Sequence, residues 1–113
     1  MDIDPLNQGQ WTDLPNGDRV WRCAVQSPGA LGLLLFFDRF QLPQGGKLFA
    51  YTADKKKTWG AYTRESGTAS GKFLIGVIPG ERAMLEYVEP AAVKGQAAIH
   101  LNRIDGVYHP SGA

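Results

Sequence analysis

The stretch Arg19–Phe40, RVWRCAVQSPGALGLLLFFDRF, constrains the fold more than any other part of the chain. In its first half Trp21, Cys23 and Val25 alternate with Arg22, Ala24 and Gln26, the period-two pattern of a strand with one face buried. Its second half, Leu31 to Phe40, places Leu33, Leu35 and Phe37 on one face. Strict alternation sends Leu34, Phe36 and Phe40 towards the other. Ser27-Pro28-Gly29 separates the halves, since proline lacks an N–H and glycine tolerates positive φ. The expectation is two strands folded back on each other at the middle of a β core.

A chain of 113 residues is one domain on length alone. It can bury about two-thirds of its unfolded surface and needs no staples. The 14 glycines and 7 prolines are spread along the chain and punctuate many short elements, which favours an all-β fold. A net charge of +1, with both signs interspersed, argues against nucleic acid, which needs a basic stripe. The single cysteine, Cys23, excludes an internal disulfide and shares the inward face of Trp21, where a free thiol acts as a small buried hydrophobe. The apolar run Ala30–Phe37 is far too short to span a bilayer. Met1-Asp2-Ile3-Asp4 lacks the basic and apolar parts of a signal peptide, so the chain reads as unexported or as a domain excised behind an added Met.

Taken in order, residues 1–10 read as a flexible lead-in. Trp11 to Leu14 reads as a short edge strand, and Pro15-Asn16-Gly17-Asp18 as a hairpin turn. After the central pair, Lys47–Thr52 alternates, and Asp54-Lys55-Lys56-Lys57 forms a solvated tip. Trp59–Gly71 is loop-like, with a brief strand at Ala61–Thr63. Strands follow at Lys72–Ile78, Arg82–Glu89 and Gln96–Arg103, before a flexible tail over 109–113. The period predicts a single all-β domain over 11–108, an antiparallel jelly-roll-like sandwich.

No catalytic, cofactor or metal constellation stands out. His100 alternates out of the Ile99/Leu101 face as a solvated strand residue, and His109 sits in the tail. Zinc would need three or four ligands at workable spacing, and calcium would have only scattered acids such as Asp54, Glu86 and Asp105. No Gly-x-Ser-x-Gly elbow or phosphate loop is present. Two surfaces remain. One is the outer face of the central strand, with Leu34, Phe36 and Phe40 as a protein interface. The other is the set of loop aromatics Tyr51, Trp59 and Tyr62, which could stack on carbohydrate.

Read together, VWRCAVQSPGA, FDRFQLPQGGKLFAY, GAYT, PGERAMLEYVEP and AAIHLNRI resemble one known region. It is the non-catalytic N-terminal β domain of secreted bacterial trypsin-like serine endopeptidases of the lysyl endopeptidase type, and the resemblance runs from about Gly9 to Tyr108. It implies a pro-domain or accessory domain, secreted or periplasmic within a larger precursor, acting by protein docking in folding assistance, latency or targeting. The partner implied is the protease module or another protein, with self-association as an alternative. The triad of that family lies downstream of the matching region, so no catalytic residue is carried over. The chain departs from the family at Leu34 and Phe36, where small or polar residues are the tendency.

Overall fold

The structure, a computed structural model, describes residues 2–108. His109 and the rest of the 109–113 tail lie outside the described residues. Among the described residues eight strands form: β1 Gln10–Asp13, β2 Arg19–Gln26, β3 Gly32–Gln41, β4 Lys47–Thr52, β5 Thr58–Tyr62, β6 Phe73–Pro79, β7 Arg82–Glu89 and β8 Ala98–Val107. Two single-turn 3₁₀ segments, Arg64–Ser66 and Ala91–Val93, lie in the connections. Every strand pairing is antiparallel.

The strands divide into a five-stranded sheet ordered β1-β2-β7-β4-β5 and a three-stranded sheet ordered β6-β3-β8. An inner run 2-7-4-5 facing 8-3-6 is the strand order of a jelly roll whose first strand has changed sheets. That strand leaves a trace: Ile3 bridges Leu101 of β8 before the chain crosses to pair β1 with β2. The lead-in expected to be loose is therefore tied to the core, with Ile3 only 4 % exposed.

The central pair needs a correction. β2 pairs with β1 and β7, and β3 with β6 and β8, so the two halves of the central stretch lie in opposite sheets. The Ser27–Leu31 connection is an arch across the sandwich rather than a hairpin turn. Its backbone is held by the neighbouring strand ends, with Ser27 N–H donating to the Glu81 carbonyl at 2.9 Å and Gly29 N–H to the Glu81 carboxylate at 2.6 Å. Trp21, Cys23 and Val25 thus face Leu33, Leu35 and Phe37 across the core, and all six are buried.

One inner row crosses the whole large sheet: Trp11, Trp21, Tyr87, Leu48 and Tyr62 are successive register partners. Gly9 lets the lead-in pass beneath it. Its φ is +83°, and a Cβ there would come within 2.4 Å of the Trp21 Nε1, so only glycine fits. The remaining differences are local. The β5 strand starts at Thr58, three residues ahead of the expected Ala61, because Tyr51 and Ala50 find partners in Thr58 and Trp59. The β8 strand runs on to Val107 because Ile104, Asp105 and Gly106 continue the ladder opposite Leu35, Leu34 and Leu33.

Candidate functional site

The outer face of the small sheet carries apolar side chains from two adjacent strands. Leu34 and Phe36 stand on β3, half-buried, between Leu74 and Val77 of β6 on one side and the β8 residues Arg103 and Asp105 on the other. Leu74 and Val77 are each 51 % exposed, unusual for side chains of their size. The Arg103 guanidinium lies 4.2 Å above the Phe36 ring, and its Nε is 3.0 Å from Asp105. Stacking and ion pairing hold that arginine flat along the rim of the strip. The 63–72 segment, the loop available among the described residues to act as a cover, packs at the far end of β3 beside Asp38–Gln41. Among the described residues, the Arg103 guanidinium lies over Phe36, while Leu74 and Val77 stay half exposed.

Phe40 does not belong to this face. Irregularities in the β3–β8 register between Phe36 and Arg39 break strict alternation. They turn Phe40 inward, where it is 1 % exposed and stacks on Phe73 at 4.1 Å. Leu74, Val77 and Arg103 are the members of the strip not singled out from sequence. The alternation of Leu74 against Phe73 and Ile75 was the available signal; the placement of Val77 was not legible.

The three aromatics considered for carbohydrate do not form one platform. Tyr51 is on the outer face of the large sheet, its hydroxyl donating to Glu86 at 3.3 Å beside the Arg22–Glu86 pair at 2.8 Å. Trp59 and Tyr62 are partners of the buried Ala50 and Leu48 and pack against the core. Tyr62 meets Phe73 edge-on at 5.0 Å. No cluster of three His, Cys, Asp or Glu side chains suited to a metal ion occurs among the described residues. Glu86 and Asp105 are held in their own ion pairs, and Asp54 accepts from Thr52 and from the Lys56 N–H.

His100 is not simply solvated. Its Nδ1 meets the Asp38 carboxylate and its Nε2 lies 2.9 Å from Asp2, so the imidazole clamps the lead-in to β3. The bond to Asp38 raises the His100 pKa against the opposing effect of burial, with the charges of Asp38 and Asp2 adding to the rise. The same bond lowers the Asp38 pKa, helped by the nearby Arg39. His100 then contributes stability that is complete below its ordinary value of about 6.5 and is lost as pH rises through the raised value. Asp38 contributes above about 3.9, and that share is lost as pH falls through its lowered value. The thermal midpoint should therefore decline above neutral pH in the parent chain, and His100→Gln should flatten that decline. A parent profile already flat from pH 6 to 9 would contradict the clamp.

No protein-family model matches this chain, and no solved structure is significantly similar to it.

Proposed function

We propose that this is a non-catalytic docking domain that holds a folded protein through the outer face of its small sheet. The observation that carries the reading is the apolar strip on the outer sheet face, with Leu74 and Val77 half exposed beside the half-buried Leu34 and Phe36 and the paired Arg103 lying across Phe36. Sheet faces left to water usually carry polar side chains, so contiguous apolar residues on one mark a contact surface. The resemblance to the accessory domain of lysyl endopeptidase-type proteases supplies the partner, a trypsin-like catalytic module, and with it a secreted or periplasmic setting. Covering on the order of 200 Å² of this strip contributes about 5 kcal/mol before association costs. The strip thus serves as the centre of a larger contact with a polar rim. A sugar-binding reading has less support, because Tyr51 faces away from Trp59 and Tyr62.

The test is the double change Leu34→Ser, Phe36→Ser. The variant should stay folded, with a cooperative transition whose midpoint falls by only several degrees, on the order of 1–2 kcal/mol. Its affinity for a purified trypsin-like module should fall at least ten-fold, as expected when central apolar anchors are removed. Sedimentation of the parent alone separates this from self-association. Unfolding of the variant would make both faces core, and undiminished binding would move the contact elsewhere; either outcome overturns the reading.

A further inference from the structure

We propose that the outer face of the large sheet binds a neutral, linear polysaccharide, stacking it on Phe49 and Tyr51 and hydrogen-bonding it through the Arg22–Glu86 pair. This surface lies on the opposite side of the sandwich from the small-sheet strip and is independent of it. Tyr51 turns away from Trp59 and Tyr62, but it has another aromatic neighbour. Phe49 lies two positions earlier on β4, so the two rings share the outer face, with Cα atoms about 7 Å apart. Both rings keep part of their surface in solvent.

The sheet register sets polar groups beside those rings. Glu86 of β7 is the partner of Phe49 on one side and of Arg22 on the other, while Met84 is the partner of Tyr51. Arg22 Nε donates to Glu86 Oε1 at 2.8 Å, and the Tyr51 hydroxyl donates to the same oxygen at 3.3 Å. The Tyr51 ring is thereby tied to the ion pair. With both bonds on one carboxylate oxygen, the other is left as an acceptor and the terminal guanidinium nitrogens as donors. These groups reach solvent, the side chains being 48 % exposed at Arg22 and 22 % at Glu86. Donors and acceptors held side by side, next to aromatic faces, match a pyranose. Its C–H face lies on a ring, and its neighbouring hydroxyls both donate and accept.

Charge and shape narrow the ligand class. The charges of Arg22 and Glu86 cancel at the centre of the face, so neither a carboxylate nor an amine gains there over a hydroxyl. Lys47 and Arg82, the other charged side chains of β2, β4 and β7 on this face, stand exposed at its two ends, where water and salt screen them. Small ligands take concave pockets, whereas these groups spread over an open sheet from β2 to β4. Several sugar units in line span them, and a single sugar does not. A cellulose-type glucan, with its substituents equatorial, forms the flat ribbon that such a surface takes.

The experiment is an NMR titration of the whole chain with cellohexaose, followed at the ring protons of Phe49 and Tyr51 and at the Arg22 Nε–H. A galacturonate hexamer serves as the charged comparison. Saturable shifts are expected at all three positions with cellohexaose, and several-fold weaker binding with the galacturonate. Tyr51→Ala should weaken cellohexaose about five-fold, as for loss of one ring contact. Arg22→Met should weaken it about ten-fold, as for loss of a charge-assisted bond. Glu86→Gln leaves the guanidinium without its counter-charge and should reverse the preference, so that the galacturonate binds more tightly than cellohexaose. Should Tyr51→Ala fail to fold, the changes at Arg22 and Glu86 test the same face. No saturable shift below about 10 mM, a limit corresponding to negligible affinity, would overturn the proposal. So would galacturonate binding to the parent as tightly as cellohexaose, undiminished binding by Tyr51→Ala or Arg22→Met, or a Glu86→Gln chain that keeps the parent's preference.

Discussion

Replacing Glu89 by alanine should destabilise the domain by about 3 kcal/mol or more, and lower its thermal midpoint by about 10 °C. Glu89 ends the inner face of β7, following Ala83, Leu85 and Tyr87 at every second position, and is 1 % exposed. A carboxylate there survives because Arg19, its register partner on β2, reaches it at 2.7 Å while stacking on Trp11. Removing the acid leaves a guanidinium four-fifths buried without its counter-charge, which costs more than the pair contributed. Glu89→Gln keeps the shape and removes the charge, so it should fall between alanine and the parent. The double change Arg19→Met, Glu89→Leu should recover most of the loss, since apolar residues of similar volume replace buried pairs at little cost. Chemical denaturation of the four chains checks this. A Glu89→Ala loss below about 1 kcal/mol would place the pair in the class of surface salt bridges and contradict its burial.

Glu89 also shows what the sequence could and could not display. Its parity with Leu85 and Tyr87 was readable, but alternation does not say where an inner face ends and so gave no reason to bury an acid. The same period-two signal placed Trp21, Cys23 and Val25 inward correctly, together with Leu33, Leu35 and Phe37. It could not distinguish a hairpin from an arch, because both strands keep their inward parity whether they pair edge to edge or face each other across a core. Ser27-Pro28-Gly29 suits either connection. The jelly-roll class was legible from eight turn-separated apolar runs, whereas the pairing of Ile3 with Leu101 depends on contacts nearly a hundred residues apart in sequence. Within the candidate surface, Leu34 and Phe36 followed from alternation. The Asp2–His100–Asp38 clamp did not, since it exists only because a register irregularity sets Asp38 beside His100.

That irregularity makes Phe36 and Phe40 opposite cases on one strand, and their alanine variants should separate widely. Phe40→Ala should cost about 3–4 kcal/mol, the range for a buried phenylalanine whose site cannot collapse. The ring is 1 % exposed, stacks on Phe73 at 4.1 Å with planes 15° apart, and meets Phe37 edge-on at 5.9 Å. Phe73 in turn meets Tyr62 of the opposite sheet, so the cavity would open in a cluster joining both sheets. Phe36→Ala loses only a half-buried ring and the guanidinium of Arg103 lying over it, worth about 1 kcal/mol. Urea denaturation of the two variants gives both values on one scale, provided that the slope with denaturant is unchanged from the parent. Unbroken alternation along β3 predicts instead that Phe36 and Phe40 share a face and respond alike. Equal losses, or a larger loss at Phe36, would therefore show that the strand runs without its bulge and would return Phe40 to the outer surface.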